Sequence, residues 1–83
     1  MALFFLSYDL RKARNYQTLY DELKRFEAVL VLESLWCFKR FNTNANGLTN
    51  HFRKFIDTDD GLIVIEASDW ASVNTLGTPN DLK

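Results

Sequence analysis

Apolar positions crowd into four short stretches of the chain and recur at helical spacing in two others. Residues 3–9 (Leu-Phe-Phe-Leu-Ser-Tyr-Asp) read as a first strand, with Leu3, Phe5 and Ser7 on one face and Phe4, Leu6 and Tyr8 on the other. Both faces are mostly apolar, which places the strand centrally in its sheet and leaves one face for another subunit. Residues 10–15 form a basic connection, and Asn15 is a candidate N-cap. Tyr16, Leu19, Tyr20, Leu23 and Phe26 then fall on one helical stripe, while Gln17, Asp21, Glu22, Lys24 and Arg25 fill the other face.

Residues 28–41 are too rich in Val, Leu, Trp and Phe to continue that helix. Glu33-Ser34 divides them into strands over 28–33 and 35–41, joined as a tight hairpin or as one strand bent at a bulge. Residues 42–47 are turn-forming, and Thr43, Asn44 or Asn46 can cap a second helix. Its apolar stripe is Leu48, Phe52, Phe55 and Ile56, with Asn50, His51, Arg53 and Lys54 towards solvent. A turn over 57–61 leads to a last strand over 62–67. Beyond Ser68 the periodicity ends, although Trp70, Val73 and Leu76 are apolar. Residues 68–83 are expected to form an irregular tail, lying across the domain or against a neighbour and frayed at its end.

Strand, helix, strand, strand, helix, strand predicts one α+β domain over 1–83. The expected fold is a ferredoxin-like βαββαβ arrangement, an antiparallel sheet with two helices on one face. The first and the last-but-one strands are then central neighbours, and the other face carries no helix.

Size sharpens this picture. A chain of 83 residues buries only about 60–65% of its unfolded surface, so small domains of this kind usually need a staple. One Cys (Cys37) permits no intrachain disulfide, and one His with one Cys cannot build a structural zinc site. Oligomerisation remains, and seven Phe, three Tyr and two Trp supply apolar surface for it. A formal net charge of −1 excludes the strongly basic balance of a dedicated nucleic-acid binder. The apolar start has no basic leader and meets charge at Asp9, so a secretory or membrane segment is not expected, and the cytoplasm is the expected compartment. No repeat, low-complexity tract or internal linker is evident.

Chemistry concentrates at the end of the first strand. Asp9 is the candidate catalytic and metal-binding residue: Mg²⁺ takes oxygen ligands and often only one or two carboxylates, and such a site activates water against a phosphodiester. Two subunits would bring two such carboxylates together. Arg11, Lys12 and Arg14 are candidate phosphate contacts. The structural alternatives are an Asp9 that caps the loop or pairs with Arg11 or Arg14, and a solvated basic loop. Lys39-Arg40 and His51, Arg53 and Lys54 read as solvated faces. Asp57-Thr58-Asp59-Asp60-Gly61 fails as a calcium loop, because its Gly is fifth and the twelfth position is Ser68. His51 has no triad partner in the sequence, Tyr8, Trp36 and Trp70 read as packing rather than base-stacking residues, and Cys37 reads as a small buried hydrophobe.

Ser7-Tyr8-Asp9-Leu10, the following Arg11, Lys12 and Arg14, and Glu33-Ser34-Leu35-Trp36-Cys37-Phe38 together resemble the CRISPR-associated protein 2 family, with the virulence-associated protein D toxins and SinR-like small proteins near it. The resemblance in element order covers residues 2–67. It implies a ferredoxin-like homodimer with the open sheet faces together and an Asp at the end of strand one, here Asp9, that in some members carries metal-dependent nuclease activity. Other members are architectural subunits. The chain departs from that pattern in its short length, its slight acidity and the lack of a clear fifth strand. The expectation is therefore a small homodimeric, nucleic-acid-associated protein in mobile-element or defence biology, with Mg²⁺-dependent endonuclease activity or an architectural role, or a toxin sharing that chemistry. The alternative is a non-enzymatic protein-interaction module, such as a phage or mobile-element inhibitor or adaptor.

Overall fold

The computed structural model describes residues 1–12 and 15–83. Arg14, one of the expected phosphate contacts, lies outside the described residues. The elements are β1 (Ala2–Asp9), α1 (Gln17–Arg25), β2 (Val29–Leu32), β3 (Leu35–Arg40), α2 (Ala45–Phe52) followed by a 3₁₀ turn (Arg53–Phe55), β4 (Gly61–Ala67) and a last 3₁₀ turn (Pro79–Asp81). The four strands form one antiparallel sheet in the order β2-β3-β1-β4. β1 and β3 are the central pair, in keeping with the apolar character of β1. α1 links β1 to one edge and α2 links β3 to the other, an order compatible with the split βαβ arrangement. Among the described residues, no helix is long and apolar enough to cross a membrane.

Strand alternation sorts the residues. Phe4 pairs with Phe38 and Leu6 with Trp36, while Val64 stands beside Leu6 on the other flank. These side chains share one buried cluster with Tyr16, Leu19, Leu23 and Phe26 from the α1 region and Leu48 and Phe52 from α2. Both helices therefore cover the same face. Phe26 is the hub of an aromatic knot, with ring centroids 5.2 Å from Phe38 and 4.9 Å from Phe52, spacings that favour edge and tilted contacts. Trp36 is buried, and its indole N–H donates to the Tyr8 hydroxyl at 3.1 Å.

Helix boundaries follow local chemistry. α1 begins one residue later than expected. Asn15 still satisfies an orphan amide, because its Oδ1 accepts the Gln17 N–H at 2.8 Å. α1 ends in a Schellman motif: the Ala28 N–H donates to the Leu23 carbonyl, the Glu27 N–H donates to that of Lys24, and Glu27 takes the left-handed φ of 57° that a glycine usually occupies. Asn44 caps α2, its Oδ1 accepting from the Gly47 N–H at 2.8 Å. The β2–β3 junction combines both readings of the sequence, a two-residue Glu33-Ser34 turn and a register shift between Leu30 and Leu32.

Residues 68–83 are irregular, but they are anchored. The Leu76 N–H donates to the Val31 carbonyl at 2.8 Å on the outer edge of β2. Thr78 and Asp81 form a capping box around a buried Pro79. A Cβ at Gly77 would lie 2.7 Å from Val29 Cγ1 and 2.8 Å from the Leu30 carbonyl oxygen, so glycine is what lets the tail approach so closely. Cys37, on the helix-free face with Val29 and Phe5, is fully buried. The tail thus covers the β2–β3 half of the face expected to be open. The β1–β4 half is left with Leu3 and Phe5 half-buried and Ile63 and Ile65 exposed by 56% and 48%.

Candidate functional site

Asp9 sits at the end of β1, directly opposite Gly61 at the start of β4. This register brings the basic connection against the 57–60 turn. Arg11 Nε donates to Asp9 Oδ2 at 3.1 Å, its Nη1 donates to the Asp59 carbonyl at 2.8 Å, and its main-chain N–H donates to Asp60 Oδ1 at 2.7 Å. Lys12 Nζ pairs with Asp59 Oδ2 at 2.9 Å. Asp60 is the centre of this clasp: its Oδ2 also accepts from the Asp57 N–H and the Tyr16 hydroxyl, each at 2.8 Å. Burial, and secondly the bond to the Asp60 carboxylate, raise the Tyr16 phenol above its ordinary value. Gly61 is tight here as well, since a Cβ would meet Arg11 Nη2 at 3.1 Å.

The arrangement brings Asp9, Arg11 and Lys12 together as expected, and the acidic turn expected over 57–61 supplies Arg11 and Lys12 with anionic partners that its sequence does not announce. Asp9 remains 71% exposed, and Arg11 and Lys12 are each about half exposed. Pairs this open contribute only about 0–1 kcal/mol each. Among the described residues no group of three or more His, Cys, Asp or Glu side chains could hold a metal ion. Asp9 offers a single carboxylate whose Oδ2 already accepts from Arg11, so a Mg²⁺ ion bound there would compete with that guanidinium.

A second constellation was missed. Glu22, expected on the solvent face of α1, is buried. Its carboxylate accepts from Arg25 Nε at 2.8 Å and Nη2 at 2.6 Å, and Glu22 Oε2 meets His51 Nε2 of α2 at 2.5 Å. The Arg25 bonds chiefly, and the His51 bond against the opposing cost of burial, hold the Glu22 carboxyl down at about 2. His51, expected near solvent, is half-buried between the rings of Phe26, Phe52 and Phe55. Arg40, expected in a solvated face, lays its guanidinium 3.9 Å above the Phe26 ring. Glu22 and Arg25 stand three residues apart, a visible pairing signal; the bond to His51, 29 positions away, has no local signature. The constellation clamps α1 to α2 around aromatic rings.

Cys37 is also unreactive: burial above all, with the nearby Asp81 charge, pushes its thiol up to about 11. The remaining feature is the uncovered half-face of the sheet, Leu3, Phe5, Ile63 and Ile65, which runs down to a shallow groove lined by Ser7, Tyr8, Asp9, Gly61, Leu62 and Ile63. No protein-family model matches the chain, and no solved structure matches it.

Proposed function

We propose that the chain is a ferredoxin-like, non-enzymatic protein-interaction domain that works through the uncovered half of its sheet. One observation carries this reading: Ile63 and Ile65 are exposed beside Leu3 and Phe5 on a face whose other half is covered by the protein's own tail. A contiguous apolar patch on a small domain marks a contact surface. The charged groups support the same reading, because Arg11 and Lys12 are engaged with Asp9, Asp59 and Asp60, and Arg25 with Glu22. A cytoplasmic location suits the buried free thiol of Cys37.

The exposure of Asp9 at a strand end favours a second reading, a homodimeric nucleic-acid-associated protein. There Asp9 would hold Mg²⁺ for phosphodiester hydrolysis, and Arg11, Lys12 and Arg14 would hold phosphate. Incubation with RNA and with DNA in the presence of Mg²⁺, comparing wild type with Asp9→Ala, separates the two. The interaction domain leaves both substrates intact and shows no salt-dependent binding. Cleavage that disappears in Asp9→Ala would overturn it in favour of the nuclease, and binding without cleavage would overturn it in favour of an architectural role.

A further inference from the structure

The sheet ends in two very different edges. On β2 the outer edge is capped: the tail donates the Leu76 N–H to the Val31 carbonyl, and Gly77 presses against Val29 and the Leu30 carbonyl. On β4 the sheet stops, and among the described residues no backbone hydrogen bond covers the outer side. Edge strands are normally blunted by a lysine, a proline, a bulge or a covering segment. β4 has none of these, and its one charged side chain is Glu66, next to last in the strand. Its sequence is Gly-Leu-Ile-Val-Ile-Glu-Ala, and all seven residues pair with β1 in unbroken register, from Leu3 opposite Ala67 to Asp9 opposite Gly61.

We infer that this edge pairs antiparallel with β4 of a second copy of the chain about a two-fold axis through Val64, joining the two sheets into one of eight strands. The inference rests on the reading of the sheet as an interaction surface and names its first occupant. The strand is complementary to itself in this register. Side chains in adjacent strands must point to the same side of the sheet, which restricts the two-fold to a residue rather than to the gap between two. Centring on Val64 engages all seven residues. Ile63 then lies opposite Ile65 of the second copy, Leu62 opposite Glu66, and Gly61 opposite Ala67. β-branched pairs of this kind are favourable cross-strand neighbours. The two Glu66 carboxylates fall four positions apart, about 14 Å along the strand, beyond the screening length of roughly 8–10 Å in physiological salt.

The two-fold axis stands perpendicular to the sheet, so both helix-free faces point the same way. Ile63 and Ile65 of both copies meet at the seam, and the two uncovered half-faces become one apolar platform that stays open to a further partner. This differs from the face-to-face dimer implied by the family resemblance, which would bury that platform.

Sedimentation equilibrium from about 1 to 100 µM, with amide hydrogen exchange on the same samples, tests the inference. The expected result is a dimer in which alternate β4 amides exchange at least about tenfold more slowly as concentration rises, and which reverts to a folded monomer in Ile65→Lys, a substitution at an exposed position. A mass that stays monomeric across that range overturns the inference. So does a dimer whose β4 amides exchange at the monomer rate, because packing through the faces leaves the edge unbonded. If Ile65→Lys fails to fold, the wild-type exchange pattern alone still decides. Neither result bears on nucleic-acid cleavage or binding, which are what overturn the interaction-domain reading itself.

Discussion

Replacing Glu22 by Gln removes the charge from the α1–α2 clamp while keeping its shape. A carboxyl lowered from its ordinary 4.5 to about 2 represents roughly 3 kcal/mol, at about 1.4 kcal/mol for each tenfold in acidity. The Arg25 side chain that causes most of the lowering is 66% exposed, so solvent screening reduces the net contribution to about 1–2 kcal/mol. The direction with pH follows from linkage. The folded form holds the proton less tightly than the unfolded chain, so the stabilisation is complete above about pH 4.5, declines as pH falls and is gone near pH 2. Urea unfolding followed by the fluorescence of the buried Trp36 reads this directly. At pH 7 Glu22→Gln is expected to lose about 1–2 kcal/mol, or roughly 4–16 °C in Tm for a domain of this size. The gap between wild type and variant should narrow between pH 4.5 and 2.5, because there the unfolded wild-type chain takes up a proton that the folded form still excludes. Other carboxyls titrate equally in both proteins and cancel in the difference. A gap that stays constant across that interval would refute the reasoning, since it would make the loss one of packing rather than charge.

Three further outcomes follow from single positions. Glu27→Gly relieves a left-handed φ that costs a side chain about 1–2 kcal/mol, against the greater unfolded-state freedom of glycine, and should raise stability by about 0.5–1 kcal/mol in the same unfolding assay. Asp60→Ala removes one acceptor shared by two main-chain N–H groups and the Tyr16 hydroxyl, and is expected to cost about 2 kcal/mol, whereas Asp9→Ala, breaking only an exposed pair, should cost less than about 1 kcal/mol; equal losses would show that Asp60 does not organise the clasp. Gly77→Ala forces a Cβ into Val29 and should lift the tail, which a thiol reagent registers as faster modification of Cys37 in the folded protein.

The fold was legible wherever a local rule decided it. Alternation assigned the two faces of β1, the stripe Tyr16, Leu19, Leu23 and Phe26 located α1, and the element order anticipated which strands are central. What escaped was non-local. Glu22 sits among polar residues of α1, and only the arrival of His51 from α2 explains its burial. Nothing in the composition of 68–83 tells that Leu76 and Gly77 reach the β2 edge, because one hydrogen bond and one missing Cβ leave no periodicity. At the candidate site, Asp9 with Arg11 and Lys12 could be read from adjacency. Their acidic partners at 57–60 could not, because the contact depends on the register that sets Asp9 opposite Gly61.

Tail and edge belong to one argument about closure. A sheet with two free edges adds copies at both ends and grows without limit, whereas a sheet with one free, self-complementary edge stops at two. Gly77 lets the tail sit on β2, so the same glycine that keeps the tail close to Val29 would also end the proposed pairing through β4 at a dimer. Gly77→Ala should then do more than expose the thiol. With Val29 and Leu30 uncovered, β2 becomes a second pairing edge, and the average mass in light scattering should rise past the dimer as concentration increases. Combining Gly77→Ala with Ile65→Lys blocks β4 and returns growth to pairing at β2 alone, with an upper limit of two copies. A Gly77→Ala protein whose Cys37 reacts rapidly but whose mass never exceeds the dimer would show that the tail covers the face without guarding the edge.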